Sequence, residues 1–203
     1  MAAKGIAERA RTLLIRITLT GVLVLLAVSD SHWRNSGSLL TLIFPVGIFL
    51  AAIGAVGRLW CSVFISGYKT NTLITSGPYA MCRNPLYFFS LIGVVGVALV
   101  TETLSLPLVL FAGFVFYYPS VVLGEERRLA SLHGQAFEEY CRRTPRFFPS
   151  LATLTEPEEY TVRPAIIRKS FIDAIWFVWG VAVIELIKAL HDTGVLPVYL
   201  TLY

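Results

Sequence analysis

Charge is what this chain has least of. Asp, Glu, Lys and Arg make up 15% of its 203 residues, where a soluble domain carries roughly a quarter. That scarcity excludes an ordinary soluble fold. Cysteine is sparse too: Cys61, Cys82 and Cys141 show no C-x-x-C spacing, so no metal or redox motif of that type is encoded. All three fall in segments read as cytosolic, where thiols stay reduced, and they are read as structural. The first apolar run is followed by Ser29-Asp30-Ser31-His32-Trp33, which lacks a small-residue cleavage site, so that run reads as a retained span. Net charge is +4, yet no contiguous basic stripe with interleaved aromatics exists, which excludes nucleic acid as a partner. Gly-x-Gly occurs nowhere, and no feature selects an oligomeric state.

Apolar residues supply what charge does not, at 56% of the chain with a mean hydropathy of +0.69. They gather in Thr12–Val28, Leu39–Trp60, Pro85–Val100, Leu104–Leu123 and Ile172–Leu190. A bilayer core of roughly 30 Å takes about 20 helical residues. The second, fourth and fifth segments meet that length, and the first and third fall at its short end. The expected fold is an all-α integral membrane protein of about five transmembrane helices, a single domain over residues 1–203 with a last helix and tail from 164. Pro45 and Pro107 fall in early turns or at kinks, tolerated in a membrane helix when neighbours satisfy the freed carbonyls. Gly47, Ala51, Gly54 and Gly57 on the second segment, with Gly93 and Gly96 on the third, form small faces for close helix packing.

Orientation follows from Lys and Arg. Lys4, Arg9 and Arg11 precede the first span, while Arg34 alone follows it. Arg58, Lys69 and Arg83 flank or occupy the second connection, and residues 124–170 carry eight further basic side chains, from Arg127 to Lys169. The N-terminus is therefore expected in the cytosol with membrane lipids around the helices. Thr101-Glu102-Thr103 is short enough to be only the tip of a helical hairpin. That hairpin brings the polar stretch Tyr79–Tyr87 beside the polar stretch that starts at Glu125.

Pro85 suits a first helical turn, and Asn84 before it suits an N-cap. The same open helix end can instead receive an anion. Glu125-Glu126 reads as the acidic start of a helix. Leu129, Leu132, Ala136, Phe137 and Tyr140 give Gly124–Cys141 an amphipathic helical spacing that Gly134 breaks or bends. Thr144–Pro149 reads as a loop folded back onto the site. Glu185 and Lys188 read as an i,i+3 pair within the last span, His133 as polar-face, and Asp173 as either cavity-facing or snorkelling to water.

Thr72-Leu73-Ile74-Thr75-Ser76-Gly77-Pro78-Tyr79, followed by Arg83-Asn84-Pro85-Leu86-Tyr87, resembles the cofactor motif of the integral membrane methyltransferases. Isoprenylcysteine carboxyl methyltransferases and phospholipid N-methyltransferases belong to that group. Glu125-Glu126, then Gly134, Phe137, Tyr140, Pro145 and Phe147–Pro149, resembles their second motif, and the likeness spans residues 70–149. The resemblance implies S-adenosylmethionine as cofactor, held in a cytosolic pocket made by the loop before the third span and the amphipathic helix after the fourth. Leu73, Ile74 and Tyr79 would line it, with Arg83, Asn84, Pro85, Tyr87, Glu125 and Glu126 in contact. Arg83 and Glu126 are the residues expected to carry the chemistry. Arg127 and Arg128 are expected to hold a carboxylate or phosphate of a lipidic substrate arriving from the bilayer. The family usually has histidine where Asn84 stands, and asparagine cannot titrate near neutrality, which favours a positional role. Isoprenylcysteine carboxyl methylation is the nearest activity and phosphatidylethanolamine N-methylation the alternative. An NADPH-dependent membrane reductase and a non-catalytic membrane binding protein are the competing classes.

Overall fold

The computed structural model describes residues 2–33, 42–66 and 72–203. Arg34, Leu39, Lys69 and Thr70 lie outside the described residues, as do the side chains of Lys4, Arg9 and Arg11. The architecture is helical: α1 (Ala2–Val28), α2 (Ile43–Ile65), α3 (Pro78–Met81), α4 (Pro85–Leu99), α5 (Ser105–His133), α6 (Gln135–Arg143) and α7 (Pro164–Asp192). Two three-residue strands, β1 (Ser29–Ser31) and β2 (Leu200–Leu202), pair in parallel and tie the end of α1 to the chain's last residues. Sequence periodicity did not reveal them, because three residues carry no period.

Among the described residues, α2, α5 and α7 are long and apolar enough to cross a membrane, while the apolar part of α1 (Arg16–Val28) and α4 are shorter. The outward faces are greasy. Phe111, Val115 and Phe116 on α5, Phe171, Trp176 and Trp179 on α7, and Phe49 and Val56 on α2 are all exposed. Patches of that extent mark a surface that meets lipid or protein rather than water.

The scaffold is built on a glycine seam. α2 and α4 lie so close that a Cβ on Gly54 would sit 2.3 Å from the Gly93 Cα, and one on Gly96 2.3 Å from the Ala51 backbone nitrogen. Gly93 also receives the Phe177 ring of α7, so three helices meet where side chains are smallest. Two apolar clusters flank the seam. At one end Leu26, Ala98, Val100, Leu106 and Ile184 pack together; at the other, Cys61, Phe64 and Tyr79 pack with Trp60, Ile74, Leu86 and Tyr160.

The Val100–Leu104 connection is the expected hairpin tip, and α4 packs antiparallel on α5. Glu102 adopts a left-handed φ of 58° there. Lys188 pairs with Glu102 and, at 2.9 Å, with Glu185, so the expected Glu185–Lys188 pair exists and gains a third member. Asp173 is exposed on α7.

One expectation about α5 needs correction. Glu125-Glu126 does not start a helix, because α5 runs unbroken from Ser105 to His133. Gly124 costs an interior helix only about 1 kcal/mol relative to alanine, and nothing crowds it, so the membrane helix continues into the polar region. The amphipathic stretch is divided, as expected, between the end of α5 and α6. The break is Gly134, whose φ of 50° and ψ of −125° favour glycine.

Candidate active site

The site grows from the turn between α2 and α4. Gly77 has φ 60° and lies against the Phe64 ring, which a Cβ would penetrate at 2.4 Å. This close approach lets Pro78–Met81 make a single helical turn on the surface of α2. Irregular backbone at the edge of an apolar bundle needs internal partners, and residues 140–155 supply them. The Gly77 N–H donates to the Thr155 carbonyl at 2.8 Å and the Arg83 N–H to the Pro145 carbonyl at 2.8 Å. The Ser150 N–H donates to the Met81 carbonyl at 3.0 Å. The Tyr140 hydroxyl donates to the Tyr79 carbonyl at 2.7 Å, and the Thr153 hydroxyl to the Ala80 carbonyl at 2.9 Å. The expected fold-back of Thr144–Pro149 is therefore present and extends through a strap to Tyr160, whose hydroxyl reaches the Phe64 carbonyl of α2 at 2.7 Å. Sequence reasoning missed the strap, since its bonds run mainly to backbone and leave no residue-type pattern.

Asn84 occupies the N-cap position of α4 but makes no side-chain cap. Its Nδ2 donates instead to the Arg146 carbonyl at 3.1 Å, fastening the strap to the helix start. The capping expectation is corrected: at φ −128° and ψ 52°, its side chain turns to the strap.

Between this turn and α5 lies a cavity of about 300 Å³, the lower end of the usual ligand-pocket range. Leu73, Ile74, Tyr79, Arg83, Asn84 and Tyr87 line it from the first motif, and Glu125, Glu126 and Arg128 from the second. Leu86, Leu129, Leu132 and Phe137 complete an apolar wall that the sequence reading had not assigned. For Leu129, Leu132 and Phe137 the signal was the helical spacing of α5 and α6; Leu86 lies in the first turn of α4. Pro85 is buried at the start of α4 and Arg127 is exposed on α5, and neither lines the cavity.

The two glutamates differ. Glu126 is held by two guanidinium groups. Arg83 Nη1 stands 3.0 Å from its Oε1, and Arg146 donates through Nη2 to Oε2 at 2.8 Å and through Nε to Oε1 at 3.2 Å. Arg83 Nη1 also donates to Cys141 Sγ at 3.0 Å. Glu125 lines the cavity from an exposed position. The Tyr79 hydroxyl and Arg83 Nε are buried with no hydrogen-bond partner. Burial, with Cys61 and Tyr140 adding, pushes Tyr79 well above the ordinary phenol range, so it stays a neutral donor. Burial likewise pushes the Cys82 thiol up to about 11. Orphaned donors beside an apolar-walled cavity are the features of a site shaped for a polar ligand. His133, expected on a polar face, has a buried and unpartnered Nε2 at the end of α5.

Residues 37–136 match the phospholipid methyltransferase family, a span that holds the whole first motif and the Glu125-Glu126 start of the second. The chain belongs to the phospholipid methyltransferase family. It is a member of the membrane methyltransferase superfamily that the two motifs resemble, whose members generally use S-adenosylmethionine. Among curated proteins it is 40% identical to the cobalt-zinc-cadmium resistance protein CzcN of Cupriavidus metallidurans, over 92% of this chain and 86% of that one. It is 35% identical to the nickel-cobalt-cadmium resistance protein NccN of Alcaligenes xylosoxydans xylosoxydans, over 92% of this chain and 87% of that one. No solved structure matches. Among the described residues, no group of three His, Cys, Asp or Glu side chains is arranged to hold a metal ion.

Proposed function

We propose that this protein transfers a methyl group from S-adenosylmethionine to a membrane amphiphile, with the head of that amphiphile presented at the cavity between the α3–α4 turn and α5. The carrying observation is that single cavity, lined by both motifs and bordered by unpartnered donors. α2, α5 and α7, with the shorter apolar helices α1 and α4, are read as a multi-pass bundle whose cavity faces the cytosol. From the relatives' names we carry over only the setting, resistance to cobalt, zinc, nickel and cadmium.

The residues fit the cofactor's chemistry. Leu73, Ile74, Leu129 and Phe137 offer apolar walls for a flat base. Glu125 can accept hydrogen bonds from a ribose diol or attract the amino group. Arg83 Nε and the Tyr79 hydroxyl can donate to a carboxylate. When bound, S-adenosylmethionine supplies an electrophilic methyl on a sulfonium. The chain's own task is to align the acceptor in line with that methyl and to exclude water. Glu126, saturated by Arg83 and Arg146, holds both guanidinium groups in place and is assigned to positioning rather than to proton transfer. An acceptor carboxylate is ionised at neutral pH and needs only orientation, whereas an acceptor amine must first lose a proton.

Calorimetry of the detergent-solubilised chain tests the reading. S-adenosylhomocysteine is expected to bind and NADPH is not. Binding of NADPH alone would hand the site to the reductase class, and binding of neither would remove the enzyme reading.

A further inference from the structure

The inner face of α5 reads, from the hairpin side toward the cavity, Phe114, Tyr118, Val122, Glu125/Glu126 and Leu129, one residue for each turn. Glu125, Glu126 and Leu129 line the cavity, and Val122, one turn before them, is 1% exposed. Tyr118 lies roughly 12 Å along the axis before Glu126, at 1.5 Å per residue, and so falls at the border between the apolar length of α5 and its polar end. An amphiphile with its tail in the bilayer and its head at the cavity has to pass this level.

Tyr118 is made of two parts with different surroundings. Its ring is enclosed by Phe114 (centroids 5.1 Å), Phe147 (4.8 Å) and Tyr87 (5.8 Å). Tyr87 in turn lines the cavity. Its hydroxyl oxygen is buried and has no hydrogen-bond partner. A buried hydroxyl left unpaired costs about 1–3 kcal/mol, so a phenylalanine would serve packing better. Its ring neighbour Phe147 directly follows Arg146 in the chain, which brings the Arg83–Glu126–Arg146 triad to the same part of the site. Two arginines against one glutamate leave that triad with a surplus positive charge. Arg146 commits Nε and Nη2 to Glu126, yet its side chain remains 52% exposed. Next to it Phe148 is 77% exposed, an apolar ring where an acyl or prenyl chain can lie.

We propose that Tyr118 and Arg146 form the acceptor's headgroup site and select an amphiphile whose head carries an anionic oxygen at or beside the group to be methylated. The Tyr118 hydroxyl donates to that oxygen and Arg146 neutralises it, while Phe147 and Phe148 take the start of the chain. A phospholipid phosphate and a prenylcysteine carboxylate share this chemistry. The inference rests on the methyl-transfer reading for its purpose but is tested apart from it.

The test measures equilibrium binding of lysophosphatidylethanolamine, farnesylcysteine and a neutral monoacylglycerol to the full chain in detergent, with S-adenosylhomocysteine titrated on the same preparations. Y118F breaks no bond of the ligand-free protein, and R146Q has R146K as its rescue. Binding of lysophosphatidylethanolamine, farnesylcysteine or both is expected, weakened roughly tenfold in Y118F and R146Q and less in R146K, which keeps the charge. Monoacylglycerol affinity is expected to stay within twofold in both variants, and S-adenosylhomocysteine affinity within twofold in Y118F. Whichever amphiphile the wild type binds identifies phosphate or carboxylate as the source of the oxygen. Unchanged amphiphile affinity in Y118F or R146Q, equal losses for monoacylglycerol, or neither lysophosphatidylethanolamine nor farnesylcysteine bound by the wild type overturns the site. Amphiphile binding that responds to both variants without any S-adenosylhomocysteine binding leaves the site standing and overturns methyl transfer.

Discussion

Glu125 and Glu126 are neighbours in the chain with different surroundings. Glu126 anchors two arginines, and Glu125 faces the cavity from an exposed position. A hydrogen bond to a charged group contributes about 1.5–3 kcal/mol, which is a tenfold or larger change in affinity. Glu125→Gln should weaken S-adenosylhomocysteine binding by about tenfold in calorimetry, with the thermal unfolding midpoint unmoved. Glu126→Gln should lower that midpoint, since Arg83 is then left in a half-buried site without its counter-ion. Equal thermal and binding behaviour of the two variants would contradict the division. Cys82 makes a pH prediction. An unfolded chain ionises this thiol near its usual 9, whereas the folded chain does so only at about 11. The stability it contributes is therefore intact below pH 9 and is lost as pH rises toward 11. Unfolding measured at pH 8 and at pH 10.5 should differ by less in Cys82→Ala than in the wild type.

At the scale of elements, the α2–α4 seam is the least forgiving part. A Cβ on Gly54 meets backbone of α4, which cannot turn aside as a side chain can. Gly54→Ala should cost about 1–3 kcal/mol through overpacking, visible as a lowered unfolding midpoint, whereas Gly113→Ala, with nothing nearby, should be neutral or stabilising. This seam was legible in the spacing of Gly47, Gly54, Gly93 and Gly96, because close approach needs small residues. The hairpin at Thr101–Thr103 was legible for a similar reason: a three-residue connection permits only antiparallel neighbours. The length of α5 was not. Its residues change from apolar to charged at Gly124, and a reading by hydropathy divides a helix there although its backbone bonds continue.

Across the whole molecule, the two motifs are joined by contacts between distant parts of the chain. The Tyr140 hydroxyl on the Tyr79 carbonyl joins residues 61 apart, and Tyr160 on the Phe64 carbonyl joins residues 96 apart. Tyr140→Phe leaves a buried carbonyl unpaired at a cost of about 1–3 kcal/mol. It should lower the unfolding midpoint and weaken S-adenosylhomocysteine binding together, because the same bond holds the turn that carries Tyr79 and Arg83. Loss of stability with affinity intact would mean that the strap supports the fold but not the cavity.

By itself the sequence determined the apolar helices, the close approach of α2 and α4, the hairpin, and most of the residues around the cavity. Each follows from hydropathy, residue volume or connection length, which are local properties of the chain. Only the tertiary structure decided that Asn84 fastens the strap instead of capping α4, that Glu126 is engaged by two arginines while Glu125 stands at the cavity, and that Tyr118 keeps an unpaired hydroxyl beside them. A polar side chain has several partners within reach in any sequence. Which one it takes depends on the few ångströms and degrees that packing alone fixes.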